Sequence, residues 1–80
     1  MTRAQRRKIA ALLQEVFEDV AAQRAWYEQP DVAFEGETPR RVANRDHAGA
    51  RRVIAGLELM RDSKRLEAAI HLPATDTEAA

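Results

Sequence analysis

The sequence predicts an all-α domain of three to four helices: a long N-terminal helix, an ordered loop, a short helix, and a long C-terminal helix or helix pair. Three observations carry that reading. Apolar residues recur at helical spacing in two long segments, residues able to cap a helix stand where those segments begin, and the three prolines fall at joints between them.

At the N-terminus, Thr2 and Gln5 fit a capping box, with the hydroxyl and the amide satisfying backbone donors of the first turn. Ile9, Leu12, Leu13, Val16, Phe17 and Val20 follow at i, i+3, i+4 and i+7, the spacing of one buried face. Pro30 pushes Gln29 out of helical geometry, so the first helix is expected to stop by that point. Residues 31–37 contain Gly36 and no helical period. They read as an ordered loop from which Val32 and Phe34 could point inward.

Thr38-Pro39 is a strong helix start, with a hydroxyl at the N-cap and a proline where its missing N–H costs nothing. That helix ends near Asn44 or Arg45, and Asp46 can cap the next. Ala50, Val53, Ile54, Leu57 and Met60 form its stripe, continued by Leu66, Ala69 and Ile70. The polar run at 61–65 fits either a break between two helices or the exposed face of one. Pro73 is expected to end the last helix, leaving 1–73 as a single domain and 74–80 as a flexible tail.

Composition bounds the function. Eighty residues make one domain, and a chain this short buries only about 60% of its unfolded surface. Without cysteine there are no disulfides or thiolate metal sites, so oligomerisation is the staple left. A charge-rich chain with no apolar stretch of membrane-spanning length reads as cytoplasmic, without a membrane partner. The basic start resembles a signal n-region, but Gln14, Glu15, Glu18 and Asp19 interrupt the apolar stretch behind it, which excludes a secretory signal.

The net charge of zero conceals blocks: four bases and no acid in residues 1–8, one base against seven acids in 9–37, then eight bases against three acids in 38–65. Such blocks fit solvated helix faces, and they also favour pairing between helices or subunits.

Catalytic groups are scarce. Ser63 is the only serine, and His47 and His71 lie far apart without a nucleophile beside them, so the chain is not expected to be an enzyme. No cofactor or metal is expected: Glu35 and Glu37 flank Gly36, and two carboxylates without further oxygen ligands do not make a cation site. Arg40, Arg41, Arg45, Arg51 and Arg52 could contact phosphates, and the segment 38–57 superficially resembles a helix-turn-helix. Ala43 and Gly49 are six residues apart, however, where that motif has four, and a pI of 6.7 argues against an independent nucleic-acid binder. DNA is therefore expected to be bound only weakly or through a partner.

Trp26, Pro30 four residues later, Phe34, Gly36 and Thr38-Pro39 form a spaced pattern, preceded by Val16-Phe17 and followed by Val42-Ala43, Val53 and Leu57. That pattern resembles the toxin-binding domain of the Xre/MbcA/ParS antitoxins over roughly residues 16–60. Physically, Trp26 closes the first helix with a large apolar surface, Pro30 turns the chain, Phe34 folds back under the tryptophan, and Gly36 allows a backbone angle forbidden to other residues. The chain departs from the family at Tyr27, where an aliphatic residue is usual, at Glu35, where a second glycine is common, and at Arg41, often acidic. Only one helix precedes the motif, whereas many members carry an N-terminal helix-turn-helix domain.

The resemblance implies an antitoxin that neutralises a RES-type, NAD-consuming toxin through its C-terminal region. In this chain the segment after Met60 would do so, with Arg61, Lys64 and Arg65 steering the encounter and Leu66, Ile70 and Leu72 as an apolar anchor. The competing readings are a helical structural or regulatory oligomer and a small DNA-binding regulator. A homodimer or larger is expected because the core is thin for so short a chain, the first helix being its natural interface because its apolar stripe is continuous and its charge changes sign along its length.

Overall fold

The computed structural model describes the backbone of residues 1–79 and side chains through Ala69. Among the described residues there are four α-helices and no strand: α1 (Arg3–Val16), α2 (Val20–Glu28), α3 (Pro39–Arg45) and α4 (His47–Ala79), with a single 3-10 turn at Val32–Phe34.

Each helix start that the sequence marks is made as expected. Gln5 N–H donates to Thr2 Oγ1 at 3.0 Å while Thr2 N–H donates to Gln5 Oε1 at 2.9 Å, a reciprocal capping box. Arg41 N–H donates to Thr38 Oγ1 at 3.1 Å, behind Pro39 at the first helical position. Gly49 N–H donates to Asp46 Oδ1 at 2.6 Å to open α4.

One long stretch is divided where periodicity alone predicts continuity. The N-terminal helix ends at Val16, Phe17 turns extended, and Asp19 starts α2 by accepting from Ala22 N–H at 2.7 Å. The apolar spacing runs on through Phe17 and Val20, so it cannot register a break that a side-chain cap creates. The break corrects the stripe as well: Val20 is 61% exposed, while Ile9, Leu12 and Val16 are buried.

The core lies between α1, α3 and the first half of α4. Ile9, Leu12 and Val16 meet Val53 and Leu57, with Val42, Ala43 and Phe34 closing the far side. Leu13, Phe17, Trp26, Tyr27, Ile54 and Met60 pack half-buried around that centre. Helix α4 is therefore the spine, with α1 and α3 both laid against it. The contact with α3 is backbone against backbone: a Cβ added at Gly49 would stand 2.0 Å from the Val42 carbonyl oxygen, so only glycine fits there.

The run at 61–65 is not a break: it is helical throughout, with Arg61 and Lys64 tied to the end of α1 and the other side chains exposed. Helical backbone also continues past Pro73, where the sequence places the stop. A proline removes one N–H from the ladder and leaves the other rungs to hold the turn. The side chains of Ile70, His71 and Leu72, and those of the expected tail 74–80, lie outside the described residues.

Candidate partner-binding face

The loop between α2 and α3 is irregular, and the backbone N–H groups of Asp31, Ala33, Phe34, Glu35, Gly36 and Glu37 all donate within it. Asp31 begins it, its carboxylate accepting from Ala33 N–H at 2.9 Å and its carbonyl from Phe34 and Gly36 N–H at 3.0 and 2.9 Å. Asp31 N–H donates to the Glu37 carbonyl at 3.1 Å and closes the loop. The chain reverses through two consecutive left-handed residues, Glu35 at φ 54° and Gly36 at φ 83°. Glu35, standing where the resemblance calls for a second glycine, thus occupies a conformation that suits glycine. Arg52 of α4 holds it there, reaching the Glu35 carboxylate at 3.1 and 3.3 Å and the Ala33 carbonyl at 3.1 Å, with its guanidinium 5.4 Å from the Phe34 ring centre.

The turn delivers Phe34 into the core, 4% exposed, and sends Val32 outward, 93% exposed, so of the two only Phe34 points inward. Trp26 sits between Phe17 and Phe34 with ring centres 6.2 and 6.4 Å away, the second contact edge-on. It is half-buried, less enclosed than a tryptophan sealed between helix and loop. Pro30 is exposed and stands just past the end of α2, and Pro39 is buried at the α3 start.

The residues expected to meet a partner divide into two sets. Arg61 and Lys64 face the body of the domain. Arg61 lies 3.8 Å from the Glu15 carboxylate and 3.1 Å from Asp62, and Lys64 Nζ donates to the Val16 carbonyl at 3.0 Å. Lys64 thereby satisfies one of the carbonyls orphaned at the end of α1, a C-terminal cap supplied from a distant helix. Arg65, also 3.8 Å from Glu15, is largely exposed, and with Glu15, Arg61, Lys64 and Ala68 it borders a shallow concavity of about 340 Å³.

Leu66 is 60% exposed and contributes nothing to the core. Leu59, two turns earlier on the same side of α4, is 69% exposed. Sequence reasoning missed Leu59. The signal was its place between Leu57 and Met60 off the buried stripe.

The first helix offers no comparable face for self-association. Its stripe of Ile9, Leu12 and Val16 is spent on α4, which removes the apolar basis for pairing α1 between copies.

The arginines of the DNA reading are mostly engaged with carboxylates. Arg40 bonds Glu28 at 2.9 Å, Arg45 bonds Glu37, Arg41 lies 4.0 Å from Glu37, and Arg52 holds Glu35. The hydrogen bond from Arg45 is the main reason the Glu37 carboxyl is held below its ordinary value. The sharp α3–α4 corner at Asp46 keeps α3 to seven residues. His47 is exposed, its Nδ1 3.2 Å from Gln5 Oε1. Among the described residues no group of three or more His, Cys, Asp or Glu could hold a metal ion, and no helix is long and apolar enough to cross a membrane.

With this geometry in place, comparison with known families is informative. Residues 12–62 match the family model described as the antitoxin Xre/MbcA/ParS C-terminal toxin-binding domain. The matched span runs from mid-α1 through the aromatic cluster, the clamped loop and α3 to Asp62, just past the last core residues of α4. No curated protein and no solved structure gives a significant match.

Proposed function

Since this chain belongs to the Xre/MbcA/ParS antitoxin family through its toxin-binding domain, we propose that it neutralises a RES-type toxin, and that the exposed side of α4 from Arg65 onward is where the two proteins meet. The family match over residues 12–62 is the observation that carries the toxin as partner.

The choice of face rests on the exposure of Leu66 at a point where α1 has already ended. An amphipathic helix entering a groove uses anchors spaced by one turn; Leu66 and Ile70, four residues apart, follow that plan in sequence, Leu72 two residues on falls outside that spacing, and Arg65 is positioned to steer the encounter. Arg61 and Lys64 take a supporting part, fixing the direction in which α4 leaves the domain through Glu15 and the Val16 carbonyl.

Truncation tests this directly. Among the described residues the last fully buried side chain is Leu57, so a chain ending after Asp62 retains the described core and should melt cooperatively. It should fail to block NAD consumption by a RES-type toxin that the full chain inhibits. Full inhibition by the shortened protein would remove α4 from the interface. Absence of any complex between the full chain and RES-type toxins of its host would remove the partner class.

Self-association is the second reading, favoured by the exposure of Leu59 and Leu66 two turns apart on one face. A homodimer would use that face in place of α1, and sedimentation at micromolar concentration giving a single-chain mass would reject it.

A further inference from the structure

Basic residues that the sequence holds far apart come together at one end of the domain. Gln5 Nε2 reaches the His47 carbonyl at 3.5 Å, which pins the start of α1 to the α3–α4 corner. The basic first turns of α1 and the arginines of α3 therefore share that end. Tyr27 of α2, the helix that contacts both α1 and α3, is half-buried and feels the positive charge of Arg40 and Arg6, although burial is the larger influence on its hydroxyl and raises its pKa. The outer side of α3 is an open groove of about 490 Å³ lined by Arg40, Arg41, Asn44 and Arg45.

Glu28 and Glu37 are the carboxylates at its edges. They hold Arg40 and Arg45 and leave Arg41 with only a 4.0 Å contact. Among the described residues Arg3 and Arg6 have no carboxylate within 4.0 Å.

We infer that the strip from Arg3 and Arg6, across Tyr27, to the Arg40–Arg41 groove is a contact surface for the phosphate backbone of a nucleic acid. Two features select phosphates over an acidic protein. The strip's cations are arginines, whose planar fork matches phosphate oxygens two at a time. It also has no apolar centre among the described residues: of the exposed large hydrophobic residues, Val32, Leu59 and Leu66 belong to other elements and Val20 stands at the opposite end of α2 from Tyr27, whereas protein interfaces are built around such a centre. Arginine forks on phosphate oxygens carry no sequence information, so the contact is independent of sequence.

The test is fluorescence anisotropy of a labelled DNA duplex of about 20 base pairs titrated with the full chain across a salt series. It uses no toxin, so its failure leaves the toxin reading standing. About four phosphate contacts give an affinity that falls about 10²-fold between 50 and 200 mM salt. Replacing both Arg3 and Arg6 by Gln should flatten the logarithmic salt slope by about two, whereas Arg41→Lys, which keeps the charge, should leave the slope unchanged. Glu28→Gln, which frees Arg40 from its carboxylate, should tighten binding. Circular dichroism confirms that each variant is folded. The inference is overturned by absence of saturable binding at about 100 μM protein in low salt, where non-specific duplex binding is expected well below that concentration. It is equally overturned by a salt slope unmoved in the Arg3/Arg6 variant, or by polyglutamate displacing the duplex as well as unlabelled DNA does.

Discussion

The loop between α2 and α3 and the distal part of α4 invert the usual association of regular structure with packing. The loop has one 3-10 turn and two left-handed residues, yet it buries Phe34, uses its backbone donors internally, and is gripped by Arg52 from another helix. Distal α4 is continuous helix, yet beyond Lys64 every described side chain is exposed. Helical hydrogen bonds close within the segment itself and need no neighbour. An irregular turn persists only where surrounding structure over-determines it. The loop is thus a fixed part of the domain, while the described side chains of distal α4 add nothing to its core.

Substitutions in the two regions should differ accordingly. Phe34→Ala removes a fully buried ring from the junction of α2, α3 and α4 and should cost about 3–5 kcal/mol, enough to leave a domain of this size largely unfolded in thermal melts. If the cost falls below about 1 kcal/mol, the loop is not the anchor described.

Next come the left-handed positions. A Cβ at Gly36 would meet nothing within 4 Å, so Gly36→Ala isolates the backbone cost of φ 83° and should destabilise by about 1–2 kcal/mol in denaturant unfolding. Glu35→Gly tests the neighbouring position with the opposite sign. It relieves the left-handed strain but loses a surface pair with Arg52 worth about 0.2–1 kcal/mol, so the net change should be a stabilisation below about 1 kcal/mol.

A smaller effect attaches to Glu37, whose carboxyl is held down chiefly by the Arg45 hydrogen bond. Because its folded pKa lies below the unfolded one, its contribution is complete above the ordinary value of 4.5 and is lost as pH falls through the folded pKa. The Tm of Glu37→Gln should therefore fall less steeply than that of the parent below that pH. Parallel curves would remove Glu37 from the acid response.

Smallest of all, Leu66→Ala should change stability by no more than about 0.5 kcal/mol while weakening the proposed toxin complex. A large loss of stability would mean that distal α4 is packed after all.

Much of this architecture could be read directly from residues. Thr2 with Gln5, Thr38 with Pro39, and Asp46 each carry a local chemical reason to start a helix, and local reasons survive folding. The Trp26–Phe34 contact and the need for a positive φ at Gly36 were also legible, since spacing and residue type express them. The break at Phe17 was not, because the periodic signal from Val16 to Val20 outweighed Asp19, a single cap residue. The roles of Arg52 and Lys64 were equally hidden. Each reaches a backbone carbonyl, Ala33 in one case and Val16 in the other, and a carbonyl leaves no mark in a sequence. Of the candidate face, the residue types were readable. Which of them turn inward depended on where α1 ends.

The glycine contact between α3 and α4 has a consequence for how the molecule opens. Where two backbones touch without side chains between them, separation cannot proceed by a few rotamer changes and must move whole helices. Amide exchange should accordingly be slowest along α4 from Ala50 to Leu57, where the buried residues follow Gly49, and should quicken turn by turn toward the exposed end. The same helix would then span the full range from opening that requires global unfolding to opening by simple fraying. A partner seated on the far end would register as protection appearing where the free protein has least.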